Sequence, residues 1–466
     1  MSRYIGDRDF YRRVLKVMLP IVIQQGITNF VGLLDNIMVG QIGTEPMSGV
    51  AITNQLLFIF HLAIFGSLSG AGIFCAQYFG KGDTEKVRSV FRYKVLSTLL
   101  ITALAIGIFW GLRTPLIRLF LTDTGSGGDL EATLGYGVRY LRIMLIGEIP
   151  FAAVQLYAST MRETGETAIP MRAGILAVLL NMVLNYTLIF GHFGAPKLGV
   201  EGAALATAIS RVAELAIVLI YLRRKPERFA WSRGVYRTLK VPLPLARDIT
   251  LKGMPLLLNE LLWSMGIALI VQCYSTRGLD AVAAYNISST VSNFFAMAVL
   301  SMGSAIAILV GQELGAGEFD RARDTNRKMI LFGEGLCLAA SVLLALTAPL
   351  FPRVYNTTDL IRGLATRLLW IDSMFLMARG LYNSSYFTLR SGGKTMITFL
   401  FDSVSMWVVN IPLALVLANL TKLPLLRMYL IIQCIDVIKA LAGLLLVRSG
   451  IWVNDLTTSS TEGGAP

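Results

Sequence analysis

The chain has 466 residues, of which 55% are hydrophobic and only 15% are charged. A soluble domain carries about 25% charged residues, so this composition excludes an ordinary soluble enzyme, a disordered chain and a coiled coil. The formal net charge is +13, which in a soluble protein would indicate a nucleic-acid partner. The positions of the basic residues therefore matter more than their number.

Twelve stretches of the chain are long and apolar enough to cross a membrane. A hydrocarbon core about 30 Å thick takes about 20 residues of helix. Because backbone groups at that depth must be satisfied internally, each stretch is predicted to be a helix, and the chain an all-α integral membrane protein. The predicted limits are 14–41, 50–78, 95–114, 133–159, 168–191, 201–222, 249–274, 284–313, 329–350, 363–388, 396–418 and 425–447.

The basic residues are concentrated in alternate loops between these spans. Nine of the 42 Lys and Arg lie between Arg223 and Lys252 alone. Since basic loops stay on the cytoplasmic side, the bias predicts an even number of spans and two cytoplasmic termini. The same bias explains the positive net charge of the chain, because basic cytoplasmic loops lie against anionic lipid. We therefore expect a multi-pass protein of the plasma (inner) membrane, in contact with membrane lipid and without a nucleic-acid partner.

The two halves of the sequence repeat each other. A shift of 235 residues places Pro20 on Pro255, and it also aligns Gly43 with Gly278, Gln77 with Gln312, Gly80 with Gly315 and Gly82 with Gly317. The repeat predicts two six-helix lobes, at 1–222 and 248–466, joined by a cytoplasmic linker at 223–247. Because six is even, the lobes should be parallel repeats, related by a pseudo-two-fold axis along the membrane normal. Such repeats are typical of secondary transporters, whose substrates bind near the repeat interface.

Polar residues in the first half suggest a cation site. Asp35 follows Lys16 by 19 residues, which is about 28 Å along a helix and so in the outer half of the membrane. An intramembrane carboxylate is a functional candidate by default. Asn181 and Asn185 are four residues apart and share a helix face, and the next span carries Thr207. Carboxylate, amide and hydroxyl oxygens suit a small cation such as Na⁺.

Each of these polar residues also has a structural interpretation. Asp35 could reach interfacial water from the end of its span. The two asparagines could form interhelical hydrogen bonds, which are common in membrane bundles.

The spans of the second half carry their own ionisable residues. The candidate substrate or gating residues are Glu260, Arg379 and Asp372, together with Gln25, the repeat partner of Glu260. Glu260 and Arg379 could pair across helices, and such a buried pair could be structural, a substrate contact or a gate.

Other charged residues within the spans are weaker candidates. Glu148 and Glu334 belong to this group. Arg211 with Glu214, and Asp436 with Lys439, are three residues apart on the last span of each half. We interpret both spacings as structural ion pairs.

No nucleotide-binding or catalytic pattern accompanies these residues. SGGKT at 391–395 lacks the first glycine of a P-loop, and no strand precedes it. No nucleophile and base occur in a recognisable arrangement. We therefore expect no enzymatic activity and no cofactor, and an ion gradient of Na⁺ or H⁺ as the energy source.

Two stretches resemble the multidrug and toxic compound extrusion (MATE) family: LPIVIQQGITNFVGLLDNIMVG, which contains Pro20 and Asp35, and NMVLNYTLIFGHFGAPKLGVEGAALATA. The resemblance implies an antiporter that exports organic, often cationic or amphipathic, compounds in exchange for Na⁺ or H⁺ by alternating access between two lobes. It implies that Asp35, Asn181, Asn185 and Thr207 form the cation site, and that Pro20 is a hinge.

The second half departs from the family pattern. Family members with a Na⁺ site there place a glutamate near Trp263 and an aspartate where Arg379 aligns. We therefore place the cation site in the first half.

Other functions remain open at the level of sequence. The nearest is a lipid-linked precursor flippase of similar architecture. A membrane-embedded enzyme would need a convergent catalytic set, and a scaffold or receptor would not transport. We expect small organic molecules as substrates and a monomer.

Overall fold

The computed structural model describes residues 5–121, 129–355 and 357–459, and within these ranges it contains helices and connecting turns but no strand. Twelve long helices dominate. They are α1 Arg8–Gly40, α2 Thr44–Lys81, α3 Thr84–Gly111, α4 Leu130–Glu163, α5 Ala168–Phe190, α6 Val200–Arg224, α7 Leu243–Ser275, α8 Leu279–Gly315, α9 Phe319–Thr347, α10 Asp359–Ser391, α11 Thr395–Leu420 and α12 Leu425–Arg448. A short helix, Arg113–Arg118, follows α3.

The twelve helices correspond one to one with the twelve predicted spans. Eleven of them are long and apolar enough to cross a membrane. The twelfth, α10, has 33 residues but carries charged groups along its length, including Asp372 and Arg379. Most helices extend beyond the predicted limits. For example, α3 begins at Thr84 and not at residue 95, because its polar first turns continue the same helix outside the apolar stretch.

The chain divides into two compact units, and the boundaries between them do not lie at the middle of the sequence. The first unit contains Met1–Val22, Ala76–Asp83 and Arg247–Pro466, and the second contains Ile23–Cys75 and Thr84–Ala246. The division therefore cuts through α1 and α2. In α1 it falls two residues after Pro20, which lies inside a continuous helix. The lobe limits 1–222 and 248–466, and the hinge at Pro20, stay predictions.

The segment predicted as a linker is anchored within the second unit. Trp231 is buried, and its ring lies 4.9 Å from that of Phe91 on α3. Arg88, also on α3, donates hydrogen bonds to the carbonyl oxygens of Ala230 and Trp231. Tyr236 is hydrogen-bonded to Tyr157 on α4. Residues 225–242 therefore form a structural part of this unit in addition to connecting α6 to α7.

Within the first unit, the last turn of α2 crosses the last turn of α8 through a reciprocal glycine contact. A β-carbon on Gly80 would lie 1.9 Å from the carbonyl oxygen of Gln312, and one on Gly315 would lie 1.9 Å from that of Gln77. Only glycine allows the two backbones to approach this closely. Each glycine and each glutamine is the repeat partner of the other, so the contact is pseudo-symmetric.

The segment after α12 packs against the same end of α2. The side-chain amide of Gln77 donates to the carbonyl oxygens of Ser391 at 2.9 Å and Asn454 at 3.3 Å, and its oxygen accepts from the backbone N–H of Leu456 at 2.7 Å. Trp452 and Leu456 are buried. One glutamine side chain thus satisfies three backbone groups and holds the C-terminal segment against the end of α2.

Candidate cation and substrate sites

The four residues of the predicted cation site are brought together in the second unit. Asp35 on α1 accepts a hydrogen bond of 2.5 Å from Nδ2 of Asn185. Asn185 and Asn181 are one turn apart on α5, and Thr207 on α6 lies 3.2 Å from the Asn181 amide. Both asparagines are buried, and Asp35 is half-buried. The hypothesis that Asp35 merely reaches interfacial water does not explain these contacts.

A close approach of α5 and α6 places Thr207 beside Asn181. α5 ends at Gly191, which has a left-handed φ of +78° and reverses the chain. Near the start of α6, a β-carbon on Gly202 would lie 2.5 Å from the carbonyl oxygen of Leu188. Glycine at both positions therefore allows the tight antiparallel pairing that aligns the hydroxyl with the amide.

The Asn181 amide is compatible with two states of Asp35. With its nitrogen facing Asp35, that nitrogen lies 3.1 and 3.2 Å from the two carboxylate oxygens, and the amide oxygen accepts from Thr207. Turned over, the amide presents its oxygen to Asp35 and donates to Thr207. The first orientation suits an ionised carboxylate. The second suits a proton or a metal cation held between the oxygens.

The donor set fits a small cation. Oδ1 of Asn185 is buried and has no hydrogen-bond partner within the described residues. A buried acceptor without a partner costs about 1–3 kcal/mol, so this oxygen is available as a ligand. In the orientation described, the amide nitrogen of Asn185 faces Asp35 and Asn181. With this amide turned over, Oδ1 would join the Asp35 carboxylate, the Asn181 oxygen and the Thr207 hydroxyl in the all-oxygen environment that Na⁺ prefers.

In the first unit, Arg379 does not pair with Glu260. Its guanidinium contacts Asp372 at 2.9 Å and Asp436 at 3.3 Å. Asp372 is buried and also accepts hydrogen bonds from Tyr429 at 2.6 Å and from Ser292 at 2.5 Å. The pairing of Glu260 with Arg379 that the sequence allowed is therefore not formed, because the guanidinium contacts Asp372 on the same helix and Asp436 on α12.

The two spacings interpreted as structural ion pairs have different outcomes. Arg211 and Glu214 form the predicted pair at 2.9 Å. Asp436 pairs with Arg379 and not with Lys439, whose ammonium instead lies 5.3 Å from the centre of the Tyr382 ring.

The remaining two candidate substrate or gating residues, Glu260 and Gln25, are not part of the Asp372–Arg379–Asp436 cluster within the described ranges. Glu260 is half-buried and makes no hydrogen bond or ion pair within 4 Å in the described part of the chain, although it interacts electrostatically with Arg390 and Asp402. Gln25 is half-buried on α1, in the other unit. Asp372 and Arg379 are therefore the only two of the four that meet in these ranges of the structure.

Asp402 was not among the candidate site residues predicted from the sequence. It is buried on α11, in a stretch of π-helix at Leu400–Val404, and accepts hydrogen bonds from Asn259 at 2.8 Å and from Tyr382. Single π-turns within α-helices are frequent at functional sites. The signal in the sequence that could have identified Asp402 was an aspartate inside an apolar span.

Two contacts between basic and acidic side chains of the second unit were also missed. Lys94 on α3 is fully buried and contacts Glu163 on α4 at 2.5 Å. His61 on α2 contacts Glu148 on α4 at 2.9 Å. Glu148 had been a weaker candidate, and no spacing rule relates it to a histidine 87 residues earlier.

Comparison with known proteins supplies the family. The MatE family model matches residues 20–187 and again residues 255–416, so the two matched segments begin at the repeat partners Pro20 and Pro255. The chain belongs to the MATE family. Solved MATE structures share the twelve-helix, two-lobe fold. A crystal structure of MATE in complex with MaL6 matches at a TM-score of 0.85 and 20% identity, over 96% of this chain and 97% of that one.

Two MATE relatives cover almost the whole chain. A probable multidrug resistance protein NorM of Thermotoga maritima is 25% identical over 451 residues, which is 95% of this chain and 93% of the relative. A probable multidrug resistance protein YoeA of Bacillus subtilis is 25% identical over 421 residues, which is 90% and 89% of the two chains. The chain is thus a multi-pass membrane transporter, as its composition and resemblance predicted.

Proposed function

We propose that this MATE transporter exports organic, often cationic or amphipathic, compounds across the plasma membrane in exchange for H⁺ or Na⁺, with both termini in the cytoplasm. Its relatives carry names that describe multidrug resistance. The observation that carries the coupling is the contact of Asp35 with Asn181 and Asn185, beside Thr207, inside three membrane-spanning helices.

Asp35 is the residue that takes the coupling ion. A carboxylate removed from bulk water requires a compensating positive charge, and no lysine or arginine within the described ranges forms an ion pair with it. When the ion is bound, it supplies that charge. The two asparagines and Thr207 orient oxygen atoms towards it, and rotation of the Asn181 amide adjusts the site between its loaded and empty states.

Transport follows if ion and substrate favour different conformers of the protein. A ligand shifts a conformational equilibrium by the difference between its affinities for the two states. Loading Asp35 and binding the exported compound would stabilise opposite states, so that an inward ion gradient drives the compound outwards. The coupling is reciprocal, and each ligand lowers the affinity for the other.

The second half supports an assignment of the ion site to the first half. Asp372 and Asp436 already share the guanidinium of Arg379, at 2.9 and 3.3 Å. This internal cation contacts both carboxylates and neutralises one negative charge, so the cluster is already partly compensated, whereas Asp35 has no lysine or arginine within ion-pair distance in the described ranges. We propose a structural role for the Asp372–Arg379 pair, with Glu260 and Gln25 as candidate substrate contacts.

The flippase alternative is not favoured by the relatives named above, and the descriptions of those relatives are of transport and not of catalysis. We propose that the protein functions as a monomer surrounded by membrane lipid.

The test is ion-driven transport by the purified full-length protein in proteoliposomes. Uptake of ethidium and of tetraphenylphosphonium is measured under an imposed pH or Na⁺ gradient for the parent, Asp35→Asn and Asn185→Ala. Asp35→Asn should lose gradient-driven uptake. Because Asn185 donates to the ionised Asp35 carboxylate, its loss destabilises the ion-free site by about 1.5–3 kcal/mol, so Asn185→Ala should hold H⁺ about 10- to 150-fold more tightly and release it less readily.

The matched control is Asp359→Asn, at the exposed start of α10, which also removes one carboxylate. It should transport at the parental rate. Parental gradient-driven transport by Asp35→Asn would show that the coupling ion binds elsewhere.

A further inference from the structure

A second protonatable pair lies in the membrane-spanning part of the second unit. Nε2 of His61 on α2 lies 2.9 Å from Oε2 of Glu148 on α4. The Glu148 side chain is 4% exposed, whereas that of His61 is 34% exposed. Nδ1 of His61 has no hydrogen-bond partner among the described residues. The glutamate is therefore enclosed, and the imidazole is the part of the pair that remains accessible.

The surroundings hold the imidazole in place without neutralising the pair. The ring of Phe151 on α4 lies 4.2 Å from that of His61. The guanidinium of Arg211 on α6 lies 5.2 Å from the centre of the Phe151 ring and is paired with Glu214. No second acidic or basic group in the described ranges forms an ion pair with Glu148.

Tyr140 connects this pair to the Asp35 site. It is buried on α4 and interacts electrostatically with both Asp35 and Glu148, while its hydroxyl lies 3.4 Å from Oδ1 of Asn54 on α2. Among the charged and titratable groups of the described ranges, Tyr140 on α4 interacts electrostatically with Glu148, and Arg211, which is paired with Glu214 on α6, lies over the Phe151 ring that packs on His61. The two sites belong to one polar region of the second unit.

The proton balance of the pair explains why it should take up a proton. With neutral His61 donating from Nε2 to ionised Glu148, the pair has a net charge of −1, which is costly away from water. One proton added to Nδ1 forms an N–H bond and gives an imidazolium beside a carboxylate, with no net charge. Imidazole is the side chain that exchanges its proton most readily near neutral pH.

We propose that the His61–Glu148 pair is a second proton-binding site, which takes up one proton at His61 in addition to the ion held by the Asp35 site. The inference rests on the proposed antiport function and extends it. Because the site is separate from Asp35, its protonation makes efflux depend on pH even where the ion at Asp35 is Na⁺.

A merely structural role would require only the hydrogen bond to Glu148. Glutamine provides a side-chain N–H near the position of Nε2 but takes up no proton in this range. His61→Gln therefore distinguishes the two roles: a structural contact is rescued by glutamine, and a proton site is not. His192→Gln is the matched control, since the chain has only two histidines and His192 stacks on Tyr186 at the end of α5.

Nuclear magnetic resonance observes the proton directly and needs no substrate. The full-length protein with ¹⁵N-labelled histidine gives signals from two rings, which His192→Gln assigns. If the pair takes up a proton, the ¹⁵N signals of the His61 ring should change from those of neutral imidazole to those of imidazolium as the pH is lowered. At a fixed pH, Glu148→Gln should reduce the imidazolium fraction, because a neutral amide does not compensate its charge. A His61 ring that stays in one protonation state, or that does not respond to Glu148→Gln, would overturn the proposal.

Ethidium efflux from proteoliposomes at a constant pH difference tests the functional consequence. One coupled proton changes a rate by at most about tenfold per pH unit. His61→Gln should flatten the parental pH profile by up to this amount, whereas His192→Gln should retain it. A parental profile in His61→Gln contradicts this inference but leaves the Asp35 site intact. Parental coupling in Asp35→Asn contradicts the proposed function but leaves the His61 resonance result unaffected.

Discussion

Replacement of Gly315 by alanine should disfavour the conformer in which α2 and α8 meet. The new β-carbon would lie 1.9 Å from the carbonyl oxygen of Gln77, whereas a carbon–oxygen contact normally needs about 3.3 Å. The two helix ends would have to separate by more than 1 Å. Overpacking of this kind costs about 1–3 kcal/mol. If the protein alternates between conformers as proposed above, this cost shifts the population away from the conformer with the glycine contact by about 5- to 150-fold.

Distances between spin labels at Phe79 and Phe319 would measure this shift. Both side chains are exposed and flank the crossing. Cys434, the one exposed cysteine of four, is first replaced by serine so that only the two introduced cysteines are labelled. The parent should show a dominant short distance, and Gly315→Ala should convert most of it to a longer one. Gly80→Ala should act in the same direction, since its contact with Gln312 is equivalent.

Gly107→Ala on α3 is the control, because a β-carbon there meets no atom within 4 Å. It exchanges the same residue types within a helix and should leave the distance distribution unchanged. If Gly315→Ala gave the same distribution and the same unfolding temperature as this control, the glycine contact would not limit the approach of α2 to α8.

Two further variants test the packing of the first unit. Arg379→Gln leaves the buried Asp372 without a cation, and we expect it to lower the free energy of unfolding by about 3–5 kcal/mol, measured as a lower unfolding temperature. The added change Asp372→Asn should restore part of this stability. A parental unfolding temperature in Arg379→Gln alone would refute the role of the pair. Gln77→Ala removes three hydrogen bonds to the backbone of residues 391, 454 and 456. Limited proteolysis should therefore cleave the segment after α12 several-fold faster in this variant than in the control Gln41→Ala, which alters an exposed glutamine. Equal cleavage rates would show that Gln77 does not hold the segment.

The helices and the repeat could be predicted from sequence because both depend on composition along the chain. Apolar length determines whether a stretch spans a membrane, and it identified even α10, whose charges reduce its hydropathy. The repeat predicted equivalent turns, and Gly82 and Gly317 have similar φ values of +79° and +75°. The contacts of Asp35 with Asn181 and Asn185 were accessible through spacing and family resemblance together.

The partners of the other charged residues could not be predicted, because sequence gives the depth of a residue in the membrane but not the side of the helix that its neighbours occupy. Arg379 had several carboxylates in the spans around it; Asp372 lies seven residues earlier on the same helix, and the packing of α10 on α12 adds Asp436. Lys94 was placed in a loop because the apolar stretch begins after it, although α3 begins ten residues earlier. His61 and Glu148 each looked isolated within apolar sequence.

The composition of the first unit has a consequence for biosynthesis. This unit combines the start of the chain and the end of α2 with everything from Arg247 onwards, and its final contacts involve Trp452 and Leu456. These residues are synthesised after all twelve long helices, so the earliest helices must remain in the bilayer with incomplete neighbours until the segment after α12 has been made. A product truncated before this segment would leave the Gln77 side chain without two of its three backbone partners.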